Sequence, residues 1–132
     1  MKKKVLVIFG GTSKEREVSI KSGQACIKAI KELKYKIQKF DPSNNDFSKI
    51  KKYKTNLIFN ALHGKDGEDG NAQSYFEYYK IPYTHSGVLS SMNSMDKITS
   101  KEIFKKNNIT TPLYFFFNNI NYSRSLIKKK LK

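Results

Sequence analysis

Two glycine-rich segments carry side chains that could bind an amine or an anion. Residues 10–19 include Glu15, and residues 60–70 include His63. Glycines permit a tight turn and a close approach of the backbone to a ligand. Each segment follows an apolar run typical of a β-strand, and ligands of open parallel sheets bind beyond the carboxyl ends of the strands. The spacing therefore predicts that both segments line one ligand site.

Each candidate residue also has a structural interpretation that needs no ligand. Thr12 and Glu15 match a capping box, which satisfies the first N–H groups of a helix, and the pattern alone slightly favours that role. His63 could form hydrogen bonds within its own loop. Glu68 and Asp69 could stabilise the positive end of the next helix. No further ligands stand near these acids at metal spacing, so we predict no metal site.

Two shorter polar segments follow. Residues 83–88 come after a fourth apolar run, and residues 94–97 open the last clear helical pattern. Asp96 is predicted to cap that helix. On pattern alone, Lys97 is a solvated surface lysine among many.

Alternating strand and helix patterns position these segments. Residues 5–9 form a continuous apolar run, as in a strand buried on both faces of a parallel sheet. Residues 35–40 alternate as in a strand nearer the sheet edge. The helical spacing between these strands involves Val18, Ser22, Ala25, Cys26, Ala29, Ile30 and Leu33. The sequence thus predicts an α/β fold, an open parallel sheet with flanking helices.

The rest of the chain contains further predicted elements. These are a loop with a helical turn at 41–54, strands at 57–59, 81–84 and 113–117, and helices near 72–79, 88–95, 98–108 and 123–132. We predict two parts: an α/β domain over 1–95, and a linking helix over 96–132 that begins a further region. The apolar stretch at 113–117 would need a later element to cover it.

Charge and cysteine content narrow the classes of function. The net charge is +15, from 26 lysines and arginines against 11 acids. A charge of this size suggests nucleic acid or an anionic membrane as a partner. The lysines are scattered along the chain, however, which favours a compositional bias as the origin of the charge. The single cysteine, Cys26, excludes an internal disulfide and is predicted to lie on a buried helix face. No signal-peptide or membrane-spanning pattern is present, so we expect a cytoplasmic location.

The four segments together are more specific than each alone. FGGTSKEREVSIKSG, NALHGKDGEDG, PYTHSGV and SMDK resemble, in order and spacing, the motifs of D-alanine–D-alanine ligases in the ATP-grasp family. The resemblance runs from Val5 to about Pro112. It implies a Rossmann-like pre-ATP-grasp domain. It also implies an activity in which ATP and magnesium activate one D-alanine as an acyl phosphate, and a second D-alanine attacks it to give a peptidoglycan precursor.

The same resemblance implies roles for individual residues. Glu15 would bind the ammonium group of the first D-alanine, and His63 would lie near the reacting carboxylate; these two are the predicted catalytic residues. Val18 and Ser19 would complete the substrate site, and Lys97 would contact the ATP phosphates as a point charge. The residues implied to shape the loops are Gly10, Gly11, Gly64, Gly67, Glu68, Asp69 and Gly70.

Two departures from the family pattern qualify this interpretation. His85 stands where the family commonly has glycine, which we expect to alter the loop surface. After Pro112 we find no counterpart of the lid over ATP or of the magnesium carboxylates, so we expect this chain alone to be inactive. The missing domains would act in cis or in trans, and a homodimer is possible. The alternatives are a non-catalytic small-molecule binding or regulatory module and a basic nucleic-acid-binding protein.

Overall fold

The computed structural model describes residues 3–116 and residue 128. The chain divides into two compact units, Met1–Met95 and Asp96–Lys132. In chain order the elements are β1 (Lys4–Ile8), α1 (Arg16–Glu32), β2 (Lys36–Phe40), a 3-10 helix (Phe47–Tyr53), β3 (Leu57–Asn60), α2 (Asn71–Tyr78), α3 (Val88–Met95) and α4 (Lys97–Lys106).

The first unit is built on a parallel three-stranded sheet. The strand order is β2-β1-β3, and both neighbours of β1 run parallel to it. The predicted open parallel sheet with flanking helices is therefore confirmed, with β2 at an edge as expected. Because the three strands run in one direction, the loops that follow them leave the sheet at the same edge.

The continuous apolar run of β1 has a direct structural cause. Successive side chains of a strand point to opposite faces, and each face of β1 meets a separate core. Leu6 and Ile8 pack in a cluster with Phe40 and Phe76, whereas Val5 and Val7 pack with Ile30 on the other face. A strand with two buried faces has no position left for a polar side chain.

The buried face of α1 differs from the prediction. Its buried residues are Ser19, Gly23 and Ile30, whereas Val18 is 50% exposed and Leu33 is 68% exposed. The helix is rotated toward its small residues because Gly23 packs against the sheet, where an added Cβ would lie 2.4 Å from the Cβ of Phe9.

Cys26 is half-buried and packs against the core that contains Ile30. Its predicted neighbours Ala25 and Ala29 are exposed rather than buried. The prediction of a buried helix face around this thiol therefore holds for Ile30 and is wrong for Ala25 and Ala29.

Two predicted strands are not formed as expected. Residues 81–84 make one parallel bridge, between Tyr83 and Ile58, with Thr84 N–H donating to the Ile58 carbonyl at 3.0 Å. Residues 113–116 have no regular structure, and Leu113 is 98% exposed. The predicted helix at 123–132 lies outside the described residues apart from Lys128.

The second unit contains α4. The Asp96 carboxylate accepts from the Thr99 N–H at 2.6 Å, which confirms the predicted cap. Hydrogen bonds from Thr99 lower the pKa of Asp96. None of the helices in the described part of the chain combines the length and apolar character needed to cross a membrane.

Candidate functional site

The loop after β1 is folded around Asp41, which directly follows β2. Gly10 and Gly11 have positive φ angles of 89° and 74°, a region that favours glycine. The Asp41 carboxylate accepts from the Gly11 N–H at 3.0 Å, and a Cβ on Gly10 would lie 2.5 Å from Asp41 Oδ2. Glycine is therefore needed for this carboxylate to sit inside the turn.

Arg16 connects the same carboxylate to the start of α1. Its guanidinium binds Asp41 through two nitrogens, at 3.1 and 2.8 Å, and donates to the Gly11 carbonyl at 2.7 Å. Desolvation opposes ionisation of Asp41, but hydrogen bonds from Arg16, Ser43 and Gly11 outweigh it. Together they hold the pKa of Asp41 well below its usual range.

This lowered pKa predicts an acid-sensitive contribution to stability. The folded chain keeps Asp41 ionised below the ordinary aspartate pKa of about 3.9, where the unfolded chain takes up a proton. The contribution of Asp41 to the free energy of unfolding is thus complete above about pH 4 and is lost as the pH falls toward the pKa of Asp41 in the folded chain. We expect Asp41→Asn to lower the free energy of unfolding at neutral pH and to flatten its decline below about pH 4. Urea unfolding at several pH values measures both effects.

The exposed Glu32, at the end of α1, offers a control for this prediction. Glu32→Gln removes one carboxylate without touching the pair, so its stability should follow the unmodified chain at every pH. An Asp41→Asn variant that keeps the original decline in acid would contradict the role of Asp41.

Two serines tie the loop after β1 to the loop after β3. The Ser19 hydroxyl accepts from the Gly10 N–H at 2.8 Å and donates to the Ala61 carbonyl at 2.7 Å. The Ser13 hydroxyl donates to the His63 carbonyl at 2.7 Å and accepts from the Glu15 N–H at 3.1 Å. Ser19 is fully buried and its hydroxyl holds the two loops together, while its place in the substrate site stays a prediction.

Glu15 occupies the N-cap position of α1 without capping it. Its side chain makes no cap hydrogen bond, so the predicted capping box with Thr12 is not formed. The Glu15 carboxylate instead lies over Gly64, where an added Cβ would be 2.4 Å from Glu15 Oε2. Gly64 has a positive φ of 69°. The structure thus brings Glu15 beside the His63–Gly64 peptide and leaves its side chain exposed to solvent.

The acids of the loop after β3 bind backbone N–H groups of that loop. Glu68 Oε2 accepts from the Gly64 N–H at 2.9 Å, and Asp69 Oδ2 accepts from the Asp66 N–H at 2.9 Å. Gly70, with a φ of 91°, is the N-cap residue of α2. These contacts give both acids a part in building the loop.

The inner side of this loop is held by two buried amides. The Gly67 carbonyl accepts from Asn60 Nδ2 at 2.9 Å and from Gln73 Nε2 at 2.8 Å. Asn60 Oδ1 also accepts from the Leu62 N–H at 3.2 Å. Asn60 ends β3 and Gln73 lies in α2, so the loop is fixed to the elements on both sides of it.

The third polar segment follows the bridge at Tyr83. The Thr84 hydroxyl accepts from the Asn60 N–H at 3.1 Å. The Tyr83 hydroxyl donates to Glu77 Oε1 at 2.7 Å, and desolvation together with this bond raises the pKa of Tyr83 to about 12. His85 has a positive φ of 83°, in the region of backbone conformation that favours glycine.

A cavity of about 380 Å³ opens beside these loops. Its lining includes His63, Ser22, Glu68, His85 and Cys26. The His85 ring meets Phe59 edge-on, with 6.2 Å between the ring centroids. His85 therefore forms part of the cavity wall as well as the loop surface.

Two further predicted site residues are Val18 and Lys97. Val18 lies in the first turn of α1 and is half-exposed, so it is open to a ligand. Lys97 is the first residue of α4 and is exposed. Within residues 3–116 and 128, no three His, Cys, Asp or Glu side chains cluster as metal ligands would.

Three residues of this architecture were not predicted from the sequence. Arg16 and Asp41 are 25 residues apart, and only the parallel pairing of β1 and β2 brings them together. The position of Asp41, directly after a predicted strand, was an available signal. Ser22 was assigned to the helix core, but its hydroxyl is 3.1 Å from His63 Nε2.

These features define a class of protein: an α/β domain whose loops meet at the carboxyl edge of a parallel sheet, the edge at which open parallel sheets bind ligands. Comparison with known proteins identifies the family. Residues 36–86 match the family described as D-ala D-ala ligase N-terminus. The chain is 46% identical over 128 residues to the D-alanine–D-alanine ligase of Pelagibacter ubique, covering 97% of the chain and 42% of that protein.

Further relatives agree. The chain is 41% identical to the D-alanine–D-alanine ligase of Caulobacter vibrioides, over 91% of the chain and 37% of the relative. The Bacillus anthracis enzyme has a similar structure, with 36% identity and a TM-score of 0.80 over 98% of this chain and 43% of that one. The chain therefore belongs, as an N-terminal domain, to the D-alanine–D-alanine ligase family.

The chain spans about two fifths of the length of these relatives. The match of 128 residues passes Pro112, so the resemblance extends farther than the sequence analysis indicated. The comparisons do not favour a regulatory module or a nucleic-acid-binding protein.

Proposed function

We propose that this chain is the substrate-side part of an enzyme that joins two D-alanines with ATP for peptidoglycan synthesis in the cytoplasm. Residues 1–95 would form the substrate-side domain, and residues 96–132 would begin the ATP-binding region. The family relationship supports the reaction class, and the arrangement of Glu15 and His63 supports the substrate.

The proposal depends mainly on the position of Glu15 beside the His63–Gly64 peptide. A free amino acid carries an ammonium group and a carboxylate on the same carbon atom, Cα. The site offers the exposed Glu15 carboxylate for the ammonium group, with the His63 imidazole nearby on a second loop, and the two loops are joined through Ser13 and Ser19. Charge-assisted contacts of this kind are the stronger class of hydrogen bond.

We infer that ATP would be contacted by Lys97. Its exposed ammonium group at the start of α4 suits a phosphate as a compact point charge, and one Bacillus anthracis relative was solved in complex with ATP. ATP and magnesium would supply activation of the D-alanine carboxylate. The described residues contain no cluster of metal ligands, so we assign magnesium to none of them. That these 132 residues alone are inactive stays a prediction, and so does the formation of a homodimer.

Glu15→Gln tests the proposed substrate. Gln keeps the size of the side chain but loses the charge that pairs with an ammonium group. We expect D-alanine to bind roughly tenfold to a hundredfold more weakly, as for loss of a charged hydrogen bond. Isothermal titration calorimetry of the chain with D-alanine measures the dissociation constant.

Glu17, exposed in the first turn of α1, provides a matched control. Glu17→Gln removes the same charge and should leave the affinity for D-alanine unchanged. The proposed substrate would be wrong if D-alanine failed to bind the unmodified chain, or if Glu15→Gln and Glu17→Gln bound it equally well.

A further inference from the structure

The His63 imidazole lies between two polar side chains from different elements. Its Nε2 atom is 3.1 Å from the hydroxyl of Ser22 on α1, and its Nδ1 atom is 3.7 Å from Oε1 of Glu68 in its own loop. The His63 side chain is 33% exposed. Both ring nitrogens thus have a polar neighbour, while part of the ring stays open to a ligand.

We propose that Ser22 and Glu68 are positioning residues that fix the orientation and the tautomer of His63. A carboxylate only accepts hydrogen bonds, so Glu68 favours a proton on the facing Nδ1. The neutral ring then presents the Nε2 lone pair to Ser22, whose hydroxyl donates to it. This inference rests on the proposed function, because His63 is one of the two residues assigned to the D-alanine site.

The Glu68 carboxylate is itself held independently of His63. Its Oε2 atom accepts from the Gly64 N–H at 2.9 Å, which leaves Oε1 directed toward the ring. Glu68→Gln can keep the bond to Gly64 through its amide oxygen. The amide NH₂ then faces Nδ1 and favours a proton on Nε2 instead. This variant therefore separates a role in building the loop from a role in positioning the histidine.

A ring held in one orientation also affects binding. Less side-chain freedom remains to be lost when the ligand binds, and that loss weakens association. We expect Ser22→Ala and Glu68→Gln each to weaken D-alanine binding by about threefold to tenfold.

The tautomer can be measured without any ligand. The chain has only two histidines, so ¹⁵N-edited NMR of the full chain gives two imidazole patterns, and His85→Asn assigns them. We expect His63 in the unmodified chain to carry its proton on Nδ1, and Glu68→Gln to transfer it to Nε2. Ser22→Ala should leave the proton on Nδ1 and shift the Nε2 resonance, because the lone pair loses its donor.

Matched controls are Glu32→Gln and Ser90→Ala, which change exposed side chains away from the ring; both should leave the His63 pattern unchanged. The inference is overturned if His63 of the unmodified chain carries its proton on Nε2, or if Glu68→Gln leaves the tautomer as it was. D-alanine titration of the unmodified chain decides the proposed function separately. A chain that does not bind D-alanine but shows the expected tautomers would refute the substrate and keep the positioning role.

Discussion

Replacing Ser19 with alanine is expected to destabilise the first unit by about 2–4 kcal/mol. The Ser19 hydroxyl is fully buried and satisfies two backbone groups, the Gly10 N–H at 2.8 Å and the Ala61 carbonyl at 2.7 Å. Alanine leaves both groups buried without a partner, and each such loss costs about 1–3 kcal/mol. Urea unfolding of the variant and of the unmodified chain measures the difference.

The better helix propensity of alanine offsets only a small part of this loss, about 0.5 kcal/mol. Ser90→Ala, at an exposed position of α3, isolates that gain and should be neutral or slightly stabilising. The bond to Ala61 joins the loop that carries Glu15 to the loop that carries His63, so the affinity for D-alanine should fall as well. Equal stability of the two variants would show that Ser19 does not hold the loops together.

The elements whose burial follows from apolar periodicity were predictable from the sequence. The apolar run forms the central strand over Lys4–Ile8 because both of its faces are buried, and the glycine-rich segments follow strands because a parallel sheet needs turns there. Both loops consequently lie at one sheet edge, as expected. Their motifs also indicated the family that the comparisons show.

The face of α1 that is buried was not predictable in the same way. Apolar periodicity places Val18 and Leu33 on the buried face of the helix, but the helix buries Ser19 and Gly23. A hydroxyl that satisfies two backbone groups and a glycine that permits close packing decide the orientation, and neither contributes to a count of apolar residues. The strand predicted to begin at Leu113 shows the same limit of apolar patterns, because a strand also requires a partner for its backbone hydrogen bonds.

Contacts between distant segments were the hardest part of the site to predict. The pair of Arg16 with Asp41 and the contact of Ser22 with His63 each join residues at least 25 positions apart. Their geometry depends on the strand order and on the rotation of α1. The sequence therefore indicated which loops form the site, whereas the contacts that fix Glu15 and His63 required the fold.

Gly67→Ala is expected to destabilise the first unit by about 1–3 kcal/mol or more through overpacking. The added Cβ would lie 2.3 Å from the Cβ of Leu62 and 3.0 Å from its carbonyl carbon. Leu62 belongs to the buried core, so neither its side chain nor its backbone can move away cheaply. Any shift of Gly67 also disturbs its carbonyl, which accepts from Asn60 and Gln73. Chemical denaturation measures the loss of stability.

Gly87→Ala is the matched control, because the same methyl group meets ordinary contacts there. Its nearest neighbours would be Glu77 Oε1 at 3.4 Å and the Tyr83 hydroxyl at 3.7 Å, so we expect a change within about 0.5 kcal/mol. Similar stability for the two variants would mean that the loop after β3 can move away from Leu62. That loop would then be too mobile to hold His63 and Gly64 in place beside Glu15, because fixed positions require tight packing beneath them.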